Sequence, residues 1–425
     1  MSRLASTFSS LRVRNYRIFF STQLVSVTGT WMQSTAQMWL VLRLTHSGLA
    51  LGVTAALQFT PMLLFGTWGG LFADRADKRK LLIGTQAAAA IVALALAVAT
   101  LTGAVQLWMV YLLALLLGFV NAVDNPTRQS FVTEMVGARQ IINAVSLNSA
   151  VFTSARVVGP ALAGLLIAVV GTGWCFLANG LSYLPVIVGL ILMRPSELHR
   201  GAPVAAARGQ IKAGLRYAWT RPELRLPLLL MLAVGTLAFN FSVLLPLLAH
   251  YTFHSGAGTF GVFLSLMGAG SFAGALLAAG RKRPTHRLLA LSALAFGILL
   301  VGVALMPALG LEMLVLVPLG LAMITFQATG NSLLQLNSEP AFRGRVMALY
   351  VIVFLGSTPI GAPTVGWVAQ TFGPRAAFGL GGVATIVGAL LALVAVSRWR
   401  LGERRGARVG PGPGVGPEVT SRAST

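Results

Sequence analysis

The chain has 425 residues, 56% of them hydrophobic and only 10% charged, with a mean hydropathy of +0.79. A water-soluble protein of this size carries about a quarter charged residues, so soluble-enzyme and disordered-tail readings are excluded. The formal charge of +22 invites a nucleic-acid reading, but the basic residues form short clusters between long apolar runs, the pattern that writes membrane topology.

A spanning helix needs about 20 apolar residues. On that measure the chain predicts twelve spans: 16–42, 48–72, 82–102, 105–130, 141–169, 173–193, 226–250, 258–280, 287–306, 309–336, 345–371 and 376–397. Of the 32 Lys and Arg, 29 then fall on the side that holds both chain ends, Arg43 and Arg375 fall on the other, and Arg156 lies inside the fifth span. Positive loops stay in the cytoplasm, so both termini are expected there, in a multi-pass protein of the cytoplasmic membrane. The first apolar run is too long for a signal-peptide core and lacks a convincing cleavage site, so it reads as an uncleaved helix. Cys175, the single cysteine, lies in an apolar run and has no intrachain partner.

The longest hydrophilic stretch divides the chain into a six-helix bundle over 1–193, a cytoplasmic linker over 194–225, a second six-helix bundle over 226–400 and a tail over 401–425. In the linker, Ile211, Leu215, Ala218 and Trp219 share a helical face, with Lys212 and Arg216 elsewhere. This suits a short amphipathic helix on the inner leaflet or a solvated linker with topogenic charge. The tail turns to Gly, Pro, Val and Ser without a period, and disorder is expected.

The halves echo each other. Gly66, Gly70 and Lys78-Arg79 recur 204 residues later as Gly270, Gly274 and Lys282-Arg283, and Gly159 and Gly164 recur 202 residues later as Gly361 and Gly366. Two bundles of six with duplicated punctuation imply a parallel internal repeat.

The loop after the second span, Gly70-Leu71-Phe72-Ala73-Asp74-Arg75-Ala76-Asp77-Lys78-Arg79-Lys80, resembles the signature loop of the major facilitator superfamily, with Asp77 where the signature usually has glycine. Asp124-Asn125-Pro126-Thr127-Arg128-Gln129, the run Ser154 to Gly164, Arg216-Tyr217, Arg221-Pro222-Glu223-Leu224 and Arg343-Gly344-Arg345-Val346 are similar to the bacterial exporters related to the enterobactin exporter. The resemblance implies an all-α integral membrane protein, twelve transmembrane helices in two pseudo-symmetric bundles. It further implies a secondary transporter exporting drugs, siderophores or other small amphipathic molecules by alternating access. A proton symporter or facilitator for uptake, and a transport-inactive sensor or scaffold, are the rival readings.

Candidate residues follow from physics and from the resemblance together. Gly159-Pro160 within an apolar helix removes a backbone hydrogen bond and allows close approach of a neighbour; with Gly164 it resembles the superfamily's antiporter motif, or it is an ordinary kink with packing glycines. Arg156 near a helix centre costs about 2.5 to 3.5 kcal/mol on the insertion scale and should face the interior, contacting an anionic substrate, aiding proton coupling, or bonding backbone carbonyls or one acid. Asp124 is the one acid well inside a predicted span, Glu312 standing at the outer end of the tenth; it is a coupling carboxyl tuned by Arg156 or Arg128, or else a backbone partner before Asn-Pro. Gly70, Asp74, Arg75, Lys78 and Arg79 are expected either to latch the two halves together on the inner side or merely to set topology. By resemblance, spans 1, 4, 7 and 10 line the cavity. Their polar and aromatic residues, Gln23, Thr30, Gln33, Ser34, Gln37, Asn121, Phe239, Asn240, Phe241, Gln327, Asn331 and Gln335, either face it or glue helices together.

Catalytic, cofactor and metal constellations are not expected. His250 and His254 at i, i+4 lack a third ligand, and no Gly-x4-Gly-Lys loop supports direct ATP drive. The expected partners are a small-molecule substrate, a proton gradient and the lipid bilayer, with no nucleic acid, and the expected working unit is a monomer.

Overall fold

The computed structural model describes residues 8–137, 140–199, 210–279, 284–354 and 356–408, with the side chains of 67–75, 210–212, 279, 341 and 399–408 left aside. Among the described residues there is no strand. The first bundle consists of α1 (Arg14–Thr45), α2 (Gly48–Arg75), α3 (Lys78–Leu101), α4 (Leu107–Val136), α5 (Ile141–Val169) and α6 (Thr172–Leu192). The linker holds α7 (Gln210–Thr220). The second bundle runs through α8 (Pro222–Leu237), α9 (Phe241–Leu247) with a wider turn at Leu248–Thr252, α10 (Ala257–Ala279), α11 (His286–Leu305), α12 (Leu309–Leu336), α13 (Pro340–Phe354), α14 (Thr358–Phe372) and α15 (Pro374–Arg408).

Eleven helical runs are long and apolar enough to cross a membrane, with α8 and α9 counted as one run and α13 and α14 as another. The twelfth crossing is α1, whose 32 residues reach about 48 Å at 1.5 Å per residue. Its amides and hydroxyls, which the fold buries, lower its hydropathy below that of the others.

Two spans read as continuous from the sequence are broken. The seventh breaks at Ala238 to Asn240, where Asn240 Nδ2 donates to the Thr236 carbonyl and takes over a main-chain role. The eleventh breaks at Gly356-Ser357 because Pro359 has no N–H to continue the ladder and disfavours helical backbone just before it. At the turn into α3, Asp77 stands where the superfamily pattern has glycine. It is the N-cap, accepting from the Lys80 N–H at 3.2 Å, so no left-handed residue is needed. The last helix continues to Arg408, into the tail expected to be disordered from 401, since its Arg, Leu and Glu residues are good helix formers; 409–425 lie outside the described residues.

In the first bundle α1 packs on α5 and α6, α2 on α4, and α3 on α6; in the second α11 packs on α15 and α12, and α10 on α12. The bundles meet along two seams, α2 against α14 and α5 against α10. The repeat is visible in the turns too: Gly171 and Gly373, again 202 apart, end α5 and α14 with φ of 92° and 91°, a backbone conformation that favours glycine. We call the end of the molecule that carries the termini and the basic loops the basic end, and the opposite one the far end.

Candidate substrate and coupling site

Both seams are tight toward the far end. Gly164 of α5 faces Gly258 of α10, where an added methyl would stand 3.2 Å from the neighbouring backbone, and Gly261 lies against the Pro160 carbonyl. In the other seam Gly366 of α14 lies against Gly48, and Gly52 against Ala362, with no room for a side chain. Gly159 and Gly361 do the matching job within each bundle, against Thr28 and Trp31 of α1 and against Thr236 of α8. The glycines related by 202 residues thus let backbones touch, whereas of the pair 204 apart Gly270 lies against the Val317 carbonyl and Gly66 meets only Met62 of its own helix. Above the seams the Tyr251 hydroxyl donates to the His46 carbonyl (2.7 Å), Ser47 Oγ donates to Gln370 Oε1 (2.7 Å) and Trp39 stacks on Phe260. Outside this closure a crevice of about 720 Å³ is lined by Arg43, His46, His250 and His254.

Toward the basic end the α5–α10 seam parts. Its deepest links are Ser265 Oγ to the Val157 carbonyl (2.8 Å) and Gly268 against the Arg156 carbonyl. On α5, residues 164, 160, 157, 153, 149, 146 and 142 share one face at helical spacing. They are covered at the far end, but Ser149, Ser146 and Ile142 are exposed, Ile142 to 86%. Phe272 and Leu276 are likewise exposed on α10. Along the α5–α10 seam the space between the bundles is therefore reached from the basic end and sealed at the far end.

Asp124, 1% exposed, anchors a network in the first bundle. Its Oδ1 accepts from Thr85 Oγ1 (2.7 Å) and Gln86 Nε2 (2.8 Å) of α3, and its Oδ2 from Arg128, one turn on. Arg128 in turn donates to Gln23 Oε1 of α1 (2.6 Å), so α1, α3 and α4 are tied through one carboxylate. A second network ties α1 to α6: Asn179 Nδ2 donates to Gln33 Oε1 at 2.6 Å, with the Tyr183 hydroxyl 3.4 Å from both Asn179 and Thr30.

Arg156 sits apart from both networks. Its guanidinium lies over the Trp31 ring, 5.3 Å from the centroid, and among the described residues it has no hydrogen bond or ion pair. On α5 its face lies opposite the exposed apolar row Val158, Leu162 and Leu165, so it points into the space between the bundles and away from lipid.

The second bundle has an aromatic interior. Phe239 meets Phe354, Phe296, Phe241 and Phe326 with centroids 4.8 to 6.5 Å apart. Beside it Gln327 and Asn331 of α12 are half-buried, while Gln335, one turn nearer the basic end, is exposed and donates to Asn331 Oδ1.

A family model described as transmembrane secretion effector matches residues 5–413. The chain belongs to this family of major facilitator superfamily transporters. It is 26% identical to a staphyloferrin A transporter of Staphylococcus aureus over 87% of this chain and 93% of that one. It is 25% identical to the enterobactin exporter of Citrobacter koseri (91% and 92%) and 26% identical to a multidrug efflux pump of Mycolicibacterium fortuitum (80% and 85%). Its fold matches an inward-facing, unoccupied bacterial homologue of the human lysosomal transporter Spinster with a TM-score of 0.69, at 14% identity over 95% of this chain and 99% of that one.

Several residues of this transporter stand elsewhere than the sequence suggested. Gln33 is 3% exposed and bonds Asn179, so it joins helices and does not line the cavity. Asn240, 2% exposed, is spent on the break in the seventh span. Gln37 is buried with its Nε2 unpartnered. Asn121 is half-buried and Thr30 exposed. Asp124 is held by Arg128 and not by Arg156. Lys78 pairs with Glu134 of α4, and Arg79 donates to the Leu190 and Ile191 carbonyls (2.6 and 2.8 Å) at the end of α6. Both contacts lie inside the first bundle, so Arg79 caps a helix and does not latch the halves; the side chains of Gly70, Asp74 and Arg75 lie outside the described set. In the linker, α7 packs Gly214, Tyr217 and Ala218 onto α13 while Leu215 and Trp219 stay exposed, so Ala218 leaves the apolar face assigned to it.

The sequence reading passed over Thr85, Gln86, Asn179 and above all Glu312. Glu312 in the first turn of α12 is 0% exposed with both carboxylate oxygens unpartnered. Read as an acid at the outer end of the tenth span, it was given no role, and its burial comes from packing that no local pattern reports.

Proposed function

We propose that this transporter exports a small amphipathic molecule, coupled to proton entry, with its basic end in the cytoplasm of the cell and a single chain as the working unit. One observation carries the reading: among the described residues the α5–α10 seam is closed at the far end and parts toward the basic end, the side from which an exporter loads. The exporters and efflux pumps among its relatives support the direction, and the asymmetric distribution of Lys and Arg supports the orientation. In this reading 1–193 and 226–400 rock as two bodies joined by the linker, with Gly159, Pro160 and Gly164 sealing the far end.

Coupling needs a carboxyl that takes up and releases a proton. Asp124 is already engaged by Arg128 and by two further donors, Thr85 and Gln86. Glu312 has no hydrogen-bond partner among the described residues, and a buried carboxyl left without one is costly to keep in place. We assign coupling to Glu312 and an organising role to Asp124. In exporter-deficient cells, expression should lower accumulation of a lipophilic fluorescent dye, and a protonophore should restore it. Raised accumulation collapsed by protonophore would mean uptake. Glu312→Gln should cut uphill efflux at least about tenfold; retained uphill efflux together with its loss in Asp124→Asn would return coupling to Asp124.

A further inference from the structure

We propose that the space between the bundles is an anion site: Arg156, laid on the face of Trp31, receives a carboxylate of the transported solute, which is a small organic acid with an aromatic or other apolar portion. The proposal deepens the transport reading, since it takes this space to be the solute's path.

Arg156 stands 15 residues from the start of α5 and 13 from its end, about 20 Å from either at 1.5 Å per residue, hence at mid-bilayer. A guanidinium keeps its proton at any accessible pH, so relief must come from an opposite charge or from water. The acids that lie in spans are accounted for elsewhere. Asp124 is neutralised by Arg128, Glu134 by Lys78 toward the basic end, and Glu312 lies buried in the far-end turn of α12. The mid-depth space between the bundles thus carries one uncompensated positive charge among the described residues.

Arg156 Cζ lies over the Trp31 ring, and among the described residues none of its N–H groups is taken up by a hydrogen bond or an ion pair. Those groups form the fork that matches a carboxylate bidentately. The indole fixes the fork in orientation before the ligand arrives, so less side-chain freedom is lost on binding. Exposed Thr30 on α1 and the Ser149 row on α5 make the approach from the basic end polar, while the phenylalanines of the second bundle offer an apolar wall. A cationic solute would meet like charge at this point, and a neutral one would leave the fork unanswered.

The test is thermal unfolding of the purified full-length protein with three isosteric probes at pH 7: 2-naphthoate, 2-naphthamide and 2-naphthylmethylammonium. We expect a concentration-dependent rise in midpoint with naphthoate alone. In Arg156→Gln the apparent affinity should fall about 10-fold to 100-fold, the range of one charge-assisted pair. Arg156→Lys, which keeps the charge but not the fork, should retain the anion preference at reduced affinity, and it carries the test if Arg156→Gln does not fold. No shift with naphthoate, equal shifts with all three probes, or an unchanged naphthoate response in the variants overturns the proposal. Dye efflux in cells is read separately: a protein that pumps dye without preferring naphthoate keeps the transport reading and loses this one.

Discussion

In the first bundle, Asp124 gathers Thr85, Gln86 and Arg128, and Arg128 reaches Gln23, so three helices meet on one ion pair. In the second bundle, Phe239 lies among four other phenylalanines. The backbones of the two bundles echo each other, yet their interiors obey different rules. Directional bonds fix helix positions to a fraction of an ångström, whereas aromatic rings tolerate several offset and edge-on arrangements of similar energy. The first bundle is therefore the rigid, charge-bearing wall of the space, and the second the adaptable apolar wall. An amphipathic solute finds one counterpart on each side.

The sharpest way to break this contrast is to strip the ion pair of one member. Arg128→Leu leaves Asp124 buried without its counter-charge, and the loss should reach about 3 to 5 kcal/mol, read as a large drop in unfolding midpoint. Adding Asp124→Asn should recover much of it, because the uncompensated charge is then gone. A cost as small as that of a surface substitution would show the network to be ornamental.

In the second bundle Phe239→Ala should cost about 3 kcal/mol through the cavity it leaves, but Phe239→Leu less than about 1.5 kcal/mol. Equal losses for the two would mean that the aromatic wall is as exacting as the polar one. The seams sharpen the comparison, since the related glycines are not equally crowded. Gly366→Ala forces a methyl onto the Gly48 carbonyl and should cost about 1 to 3 kcal/mol while loosening the far-end closure, measurable as dye leak. Gly164→Ala, with 3.2 Å to its neighbour, should be milder. The smallest effect is expected for Gln33→Leu, which removes one bond between α1 and α6. Such bonds average about 0.6 kcal/mol in membranes, so dye efflux should persist; its abolition would return Gln33 to the solute path.

How much of this could be read without coordinates differs by kind of feature. The tenth span, 309–336, matches α12 end for end, because length and apolarity alone decide what can cross a bilayer. The repeat was legible in the glycines, since backbone contact between helices leaves no other choice of residue. The i, i+4 spacing of Asp124 and Arg128 hinted at their pairing, but Thr85 and Gln86 reach Asp124 from another helix. For the same reason Gln33 and Asn240 were placed in the cavity when they bond to neighbouring helix and backbone.

The amino-acid sequence by itself determined the number of crossings, the charge asymmetry between the two faces and the two-fold repeat, all of which follow from transfer of whole segments into lipid. Only the tertiary structure decided which polar groups are answered by a partner, which is why Asp124 and Arg156 part company: one meets three donors and the other an indole face. It also decided that Glu312 is sealed from water and that the seams close at the far end alone. Those outcomes depend on how helices distant in the chain are rotated and tilted against one another, a quantity that no single helix encodes.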